Sequence, residues 1–323
     1  MSGKNLPPSS RREFWGVAAA GLATGCNRVN QSALSVKGGE SVVAIVKAAS
    51  YSDDLTGRIL EGIKECGLDV KGKKVLLKPN LVEFDRNTAI NTDVAVVAAA
   101  WEAFRSLGAE VVIGEGPGHR RDAFGIAEEA GYRSGMPKFE ANFVDLNRDD
   151  VTRVDKFADH KEIYLPDSAL GADLVVSLAK TKTHHWAGAT LSMKNFFGLV
   201  PGAVYGWPKN FLHMTGIPTS IIELNRIFRK TFAIVDGIVG MEGNGPIQGT
   251  PKNAGVLVMG SDNVAVDATC CRIMGIDPFK VEYIAGAQHL GIVDGSRIKQ
   301  RGEAISSVQT DFKLIKEFAY LRT

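Results

Sequence analysis

Lysine and histidine side chains are concentrated directly after one short apolar run of this chain. The run is Leu174–Ala179, and Lys180, Lys182, His184 and His185 follow it at once. A lysine ammonium group binds carboxylates and phosphates through charge-assisted hydrogen bonds, and an imidazole can move a proton near neutral pH. Together these residue types indicate a site that holds a small anionic molecule and performs acid–base chemistry on it.

Lys194 and Asn195 continue the same chemistry a little further along the chain. Lys194 follows Thr190 by four residues, so the two share one face if this segment is helical. We expect Lys180, Lys182 and Lys194 to bind the anion, with Asn195 beside them. The alternative interpretation is that these long side chains only cover the edge of a sheet.

Polar residues also end four other apolar runs. These residues are Lys78 and Asn80 after the run from 74, Glu115 and His119 after 110–114, Asp236 in 232–237, and Asp262 after the run from 255. Ligands of open α/β sheets bind where the carboxyl ends of parallel strands meet. We therefore expect one pocket formed by Lys78, Asn80, Glu115, Lys180, His184, Lys194 and Asp236. Each polar ending taken alone is also consistent with an ordinary loop.

His119 is a further candidate ligand residue because of the loop that precedes it. The loop Gly114–Gly118 contains three glycines, which permit a ligand to approach the backbone closely. The Gly-Lys-Ser/Thr sequence of a phosphate-binding Walker loop does not follow. Phosphate binding is therefore one alternative for this loop, and a plain turn is the other.

Acidic residues form a second group of candidates, which comprises Asp236, Glu242, Asp262 and Asp267. Carboxylate oxygens are hard ligands that suit Mg²⁺, Mn²⁺ or Ca²⁺. Asp236 and Glu242, which lie among glycines, are the candidate ligands of a divalent metal, and the cofactor is otherwise unknown. Asp262 lies where a helix N-cap belongs. Asp236 ends a buried strand and is alternatively an acid–base partner of the histidines.

Segments with strand and helix patterns alternate along the chain. The sequence predicts strands at 41–47, 74–80, 110–114, 142–146 and 174–179, and helices at 53–68, 94–107, 122–130 and 218–229. This alternation predicts an α/β fold, with a mostly parallel doubly wound sheet, helices on both faces and the site at the carboxyl edge of the strands. Residues 198–215 interrupt the pattern, and we interpret them as a flap over the site, with a surface insertion as the alternative.

Composition excludes some classes of function. The chain has 323 residues, which suits one large α/β domain or two small ones, and it contains 38 basic and 36 acidic residues. No polybasic run is present, which argues against nucleic acid as the main partner. Its four cysteines form no Cys-x-x-Cys pair, so we expect no iron–sulfur cluster and no Cys₄ zinc site.

The first residues of the chain have the pattern of an export signal. Ser10–Phe14 reads Ser-Arg-Arg-Glu-Phe, which matches the twin-arginine signal, and a weakly apolar segment follows it. Leu22–Cys26 is similar to a lipobox, whose cysteine would be lipidated, and a plain cleaved signal is the alternative. We expect the twin-arginine machinery to export the protein to the periplasm or cell envelope, with membrane contact only through a lipid on Cys26.

The predicted organisation therefore has three parts. Residues 1–26 are the signal, residues 27–40 form a polar linker, and residues 41–323 form a single α/β domain.

Six motifs resemble, in their order, the bacterial and archaeal domain of unknown function 362. They are Leu76–Leu81, Gly114–Gly118, Ala172–His184, Met193–Gly198, Ile234–Gly237 and Asp262–Asp267. The resemblance runs from about Val42 to about Asp294. It favours His184, which occupies the family's position, over His185. Some members of the family carry a ferredoxin-like module with iron–sulfur clusters, which we do not expect here.

Three functions fit these observations. The first is an exported enzyme that acts on a small anionic substrate, in which His184 moves a proton and Lys180 and Asp236 assist it. The layout of histidines and lysine at a sheet edge resembles lactate racemase-type enzymes, as an analogy only. The alternatives are a lipid-anchored protein that binds a ligand without turnover and an accessory subunit of a redox complex.

Overall fold

Strands and helices make up most of residues 39–322, the residues that the computed structural model describes. The strands are β1 (Ser41–Lys47), β2 (Lys74–Pro79), β3 (Glu110–Glu115), β4 (Phe143–Asp145), β5 (Val151–Phe157), β6 (His160–Pro166), β7 (Leu174–His184), β8 (Gly188–Thr190), β9 (Thr231–Glu242), β10 (Thr250–Gly260) and β11 (Ile298–Gly302). The helices are α1 (Leu55–Glu65), α2 (Val94–Ser106), α3 (Ala123–Glu129), α4 (Tyr132–Gly135), α5 (Phe139–Asn142), α6 (Asp167–Leu170), α7 (Ser192–Asn195), α8 (Gly202–Tyr205), α9 (Asn210–Met214), α10 (Ile217–Ile227), α11 (Asn263–Ile273), α12 (Glu282–Gly286) and α13 (Ile305–Val308). Within these residues, no helix is both long and apolar enough to cross a lipid bilayer.

Several predictions concern residues outside this range. The twin-arginine motif at 10–14, Cys26 and residues 27–38 of the predicted linker all lie outside the described residues. Export, lipidation and the domain boundaries near the N-terminus therefore stay predictions.

One sheet holds nine strands, in the order β11-β1-β10-β9-β7-β2-β3-β4, with β8 paired to β7. The five strands from β9 to β4 are parallel neighbours, and β1 pairs in parallel with β11. β10 runs antiparallel between β1 and β9, and β5 and β6 form a separate antiparallel hairpin. The prediction of a mostly parallel α/β sheet is confirmed.

Both faces of this sheet are covered, because successive residues of a strand point to opposite faces. In β1, Ala44 and Val46 belong to one apolar core together with residues of α1 and α2. Val43 and Ile45 belong to a second core together with residues of α11. Strands that are buried on both faces read as nearly continuous apolar runs, which is the pattern found in the sequence. The predicted placement of helices on both faces is confirmed.

Asp262 lies at the opposite edge of the sheet from the one expected. Because β10 is antiparallel to β9, its carboxyl end lies away from the carboxyl ends of β7 and β9. The Asp262 carboxylate accepts hydrogen bonds from the main-chain amides of Val264 and Ala265, at 3.0 and 3.1 Å, and so caps α11. The N-cap interpretation is confirmed, and the grouping of Asp262 with the other strand ends is wrong.

Residues near the expected site are more regular than the sequence predicted. β7 continues through Lys180 and Lys182 to His184, so these side chains are positioned by a strand rather than by a loop. The segment 198–215, interpreted as a flap, contains the short helices α8 and α9. The site is therefore built mainly from strand ends and short helices.

Candidate functional site

A cavity of about 380 Å³ opens at the carboxyl edge of the sheet, where β2, β3 and β7 end. It is lined by the following residues that the sequence predicted for the site: Lys78, Asn80, Glu115, His119, Lys182, His184, Lys194 and Asn195. The segment 198–215 also contributes to the lining. The volume lies in the range of roughly 300–1,000 Å³ in which small-molecule sites fall. The structure thus brings these residues together around one space.

Lys78 and Glu115 form a buried ion pair in this lining. The Nζ atom of Lys78 lies 2.6 Å from Oε2 of Glu115, and it also donates to Asn195 Oδ1 and to a main-chain carbonyl oxygen, each at 2.8 Å. These three acceptors use all three N–H donors of the ammonium group. Glu115 accepts from the main-chain amides of Leu81 and Gly116, at 3.1 and 2.8 Å. The pair therefore holds the strand ends together and leaves no donor of Lys78 for a ligand.

Asn80 and Asn195 connect this pair to its neighbours. Asn195 donates to the carbonyl oxygen of Lys78 at 2.9 Å and to the hydroxyl of Ser177 at 3.1 Å. Asn80 Oδ1 accepts from Lys182 Nζ at 2.8 Å. Both amide side chains are therefore fixed by the framework, although both also line the cavity.

Lys182 is fully buried, and its hydrogen-bond partners are neutral oxygens. Besides Asn80, its Nζ donates to a main-chain carbonyl oxygen at 2.8 Å. Burial lowers the pKa of Lys182 well below its usual value, and the neighbouring ammonium groups of Lys194, Lys180 and Lys78 lower it further. Its third N–H donor has no hydrogen-bond partner within residues 39–322.

Lys194 and Lys209 add two amines with free donors. The Nζ atom of Lys194 lies 4.5 Å from the centroid of the Phe197 ring, and it has no hydrogen-bond or ion-pair partner within residues 39–322. Lys209 Nζ donates to the carbonyl oxygen of Gly116 at 2.5 Å. Burial lowers the pKa of Lys194 to about 8 and that of Lys209 to about 7. These lysines, with Lys182, supply donors that no carboxylate of the described chain occupies.

Asp267 of α11 positions the short helix α7, which carries Lys194 and Asn195. Its carboxylate accepts from the amide and the hydroxyl of Ser192, at 2.8 and 2.5 Å, and from the amide of Met193 at 3.1 Å. Burial raises the pKa of Asp267 to about 7, and these hydrogen bonds oppose the rise. Asp267 does not line the cavity, so its effect on the site passes through α7.

His184, which lines the cavity, is held in one tautomer by two main-chain amides. Its Nδ1 accepts from the main-chain amides of Trp186 and Ala187, at 3.0 and 3.1 Å. A neutral imidazole that accepts at Nδ1 carries its proton on Nε2. Burial, followed by the nearby charges of Lys194 and His185, lowers the pKa of His184 well below its usual value and so favours the neutral ring.

His185 is held in the opposite tautomer. Its Nδ1 lies 2.7 Å from the carbonyl oxygen of Gly245, which can only accept a hydrogen bond. Nδ1 therefore carries a proton, and a ring that carries no second proton has a lone pair on Nε2. The rings of His184 and His185 stack with their centroids 5.1 Å apart, and both residues line the cavity. The two adjacent rings thus use Nδ1 in opposite ways, one as an acceptor and one as a donor.

Lys180 and Asp236 do not line the cavity, in contrast to their predicted place. They form a buried ion pair with 2.8 Å between Nζ and Oδ2. Lys180 Nζ also donates to the hydroxyl of Tyr51 at 2.7 Å, and the Asp236 carboxylate accepts from the amides of Asp93 and Ile238, at 3.1 and 3.2 Å. These contacts join β7 and β9 to the start of α2. The expectation that both residues share the pocket is therefore wrong, and their polar groups are engaged in this network. Their expected catalytic roles stay predictions.

The metal ligands predicted at Asp236 and Glu242 are not supported either. Glu242 accepts from the amide of Lys313 at 2.9 Å and so holds the C-terminal segment against β9. Within residues 39–322, no three His, Cys, Asp or Glu side chains lie together in a way that could hold a metal ion. The two carboxylates therefore serve separate structural contacts.

Sequence reasoning expected the segment 198–215 over the site but assigned no role to its Lys209 and His213. It missed Pro246 and Ile247, which reach the cavity from the loop after β9. The tautomer of His185 depends on Gly245, which is 60 residues away in the chain. No local pattern encodes such a partner. His119, by contrast, was expected and lies exposed on the lining.

Comparison with known proteins shows the family. The family model described as "Domain of unknown function (DUF362)" matches residues 75–272. The thylakoid-associated protein sll1697 of Synechocystis is 31% identical over 243 residues, which are 72% of this chain and 73% of that protein.

Solved structures give weaker likenesses. The lactate racemase apoprotein of Thermoanaerobacterium thermosaccharolyticum has a TM-score of 0.48 and 14% identity, and covers 73% of this chain. A Thermotoga maritima protein has a TM-score of 0.44 and 14% identity, and covers 70% of this chain. The matches span 57% and 59% of those two chains, less than two thirds of their lengths. The family match and the Synechocystis relative, rather than these structures, show that this chain belongs to the DUF362 family.

Proposed function

We propose that this protein is an enzyme that binds a small organic anion at Lys182, Lys194 and Lys209 and transfers a proton with His184 and His185. The observation that carries the proposal is the pair of adjacent imidazoles whose Nδ1 atoms make opposite hydrogen bonds, inside a cavity lined by three lysines without carboxylate partners. Convergent polar groups with shifted pKa values in one cavity are typical of active sites.

The charges of the cavity favour an anionic ligand. Four lysines line it, and its carboxylate, Glu115, is already paired with Lys78. A bound carboxylate would raise the pKa of Lys182, Lys194 and Lys209, because a nearby opposite charge favours the protonated amine. The ligand would thereby supply the negative charge that the protein does not provide for these three lysines.

The histidine pair supports proton transfer at a carbon activated by a carbonyl group. As the C–H bond breaks, the proton would pass from the carbon to the Nε2 lone pair of His185. The Nε2–H of His184 would donate to the oxygen on which negative charge develops. This assignment revises the role that the sequence suggested for His184, since its Nδ1 is occupied and its Nε2 is already protonated.

Hydrogen–deuterium exchange into 2-oxo acids tests the proposal. We expect the protein to accelerate exchange of the C3 hydrogens of pyruvate or phenylpyruvate in D₂O, followed by proton NMR. His185→Gln should lower this rate by about 100-fold or more, because general-base catalysis contributes roughly 10²–10⁴-fold. His184→Gln should lower it less, since the glutamine amide can still donate a hydrogen bond.

His289→Gln provides a matched control. His289 is exposed, does not line the cavity, and also places Nδ1 near a carbonyl oxygen, that of Gly286 at 3.1 Å. Its substitution should leave the exchange rate unchanged. Equal rates in the parent and His185→Gln would contradict the assigned base. Binding of the acids by the parent without any exchange would favour the alternative of a non-catalytic ligand-binding protein.

A further inference from the structure

Aromatic rings cluster beside the lysines of the cavity. The ring of Trp186 meets that of His185 edge to face, with centroids 4.6 Å apart, and meets His213 in the same way at 5.7 Å. The Phe197 ring meets His213 at 6.3 Å. These four residues, Trp186, His185, His213 and Phe197, are named here the aromatic collar, and all of them line the cavity.

Exposure differs among the residues of the lining. Lys78, Lys182 and Lys209 are buried and Lys194 is half-buried beside Phe197, whereas Trp186 is 64% exposed. Ile247, which is half-buried, adds apolar surface to the lining. A large apolar side chain left open to solvent beside a formed cavity is a feature of ligand sites. The cavity therefore combines buried lysines with an exposed aromatic ring, that of Trp186.

We propose that the ligand of this cavity is an amphipathic organic anion, with one anionic group and a flat apolar body, aromatic or conjugated. The inference rests on the anion site proposed above and specifies its substrate class. The anionic group would bind Lys182, Lys194 and Lys209, and the flat body would pack within the aromatic collar. Flat rings pack well against such a collar, since edge-to-face and offset arrangements of aromatic rings are favourable.

A bare inorganic anion or a two-carbon acid would use only part of this site. Such ligands would satisfy the lysine donors and leave Trp186 in water. A flat apolar body would remove that ring surface from water, which is favourable in proportion to the apolar area buried. The exposed ring of Trp186 thus discriminates between anions with and without an apolar body.

Titration calorimetry with benzoate, cyclohexanecarboxylate and acetate tests this inference. We expect the parent to bind benzoate about tenfold or more tightly than acetate, with cyclohexanecarboxylate between them. Trp186→Ala should reduce the ratio of benzoate to acetate affinity severalfold, and Trp186→Phe should restore most of it. The main-chain amide of Trp186, which donates to His184, is retained in both variants.

Phe279→Ala is the control, because Phe279 is 48% exposed and does not line the cavity. It should leave the affinity ratio unchanged. Equal affinities of the parent for benzoate and acetate would overturn the inference and leave the anion site intact. Absence of binding by all three carboxylates would overturn the anion site and the inference with it. Equal binding of neutral benzyl alcohol and benzoate would likewise overturn the anion site.

Discussion

The lysines around the cavity differ in how far the protein already compensates their charge. Lys78 has a carboxylate partner, and its three donors are all used. Within the described residues, Lys194 has neither a carboxylate nor a hydrogen-bond acceptor as a partner. Lys209 donates to one main-chain carbonyl oxygen. Ligand binding should therefore change the protonation of Lys194 and Lys209 much more than that of Lys78.

Anion binding at pH 8 is predicted to take up protons from solution. The pKa is about 8 for Lys194 and about 7 for Lys209, so both amines are partly neutral at this pH. A bound anion raises these pKa values, so affinity should fall as pH rises from 7 to 9. Calorimetric titration with benzoate in buffers of different ionisation enthalpy measures the uptake. Lys194→Met should reduce the uptake and weaken binding by about tenfold or more.

Lys161→Met is the matched control for this measurement, because Lys161 is an exposed lysine of β6. It should change neither the affinity nor the proton uptake. A binding enthalpy that does not depend on the buffer in the parent would show that Lys194 and Lys209 are already fully charged.

The residue types of the site were predictable, but their partners were not. A cation at the end of an apolar run indicates the edge of a sheet, and the pattern is the same for Lys180 and Lys182. What separates them is Asp236 and Tyr51, which lie 56 and 129 residues from Lys180 and bind it. Lys182 meets only neutral oxygens. Long-range contacts of this kind decide which lysine reaches a ligand.

At the scale of elements, the position of α7 should control affinity without a direct contact between Asp267 and the ligand. Asp267→Ala removes three hydrogen bonds to the start of α7, each worth roughly 1.5–3 kcal/mol when one partner is charged. We expect unfolding free energy to fall by at least about 2 kcal/mol. Benzoate affinity should also fall, because α7 carries Lys194. Chemical denaturation and titration calorimetry measure the two effects.

Asp262→Ala separates these effects, since Asp262 caps the same helix, α11, at the opposite edge of the sheet. Loss of an N-cap costs about 0.5–2 kcal/mol of stability. Benzoate affinity should be unchanged in this variant. If the two variants lower affinity equally, general destabilisation rather than the position of α7 is responsible.

At the scale of the whole molecule, the fold class follows from alternating patterns, whereas the direction of β10 does not. The sequence predicted apolar strand segments at 232–237 and 255–262. The stretch between them is long enough for a crossover connection between parallel strands. In the structure the strands are longer, and only residues 243–249 connect β9 to β10. A parallel crossover needs about a dozen residues or more, so the short connection requires an antiparallel pair. Strand length, which the apolar pattern underestimates, therefore determined where Asp262 lies.

Export as a folded molecule is the prediction that concerns the entire chain. Lysines from β2, β7, α7 and the segment 198–215 meet in one cavity, so the site exists only after the domain has folded. The twin-arginine route, which the Ser10–Phe14 motif predicts, carries folded proteins. Replacement of Arg11 and Arg12 by lysine should keep the precursor in the cytoplasm, as cell fractionation would show. The exported form should begin at a lipidated Cys26 in mass spectra of its N-terminus.

Lys4→Gln is the matched control, because it removes one positive charge before the motif and leaves both arginines in place. Export of this variant should be normal, since the machinery reads the arginine pair as an address and not as net charge. Normal export of the double lysine variant would contradict the twin-arginine prediction. An unmodified Cys26 in an otherwise exported protein would contradict only the lipid anchor, because a plain cleaved signal would then account for the same location.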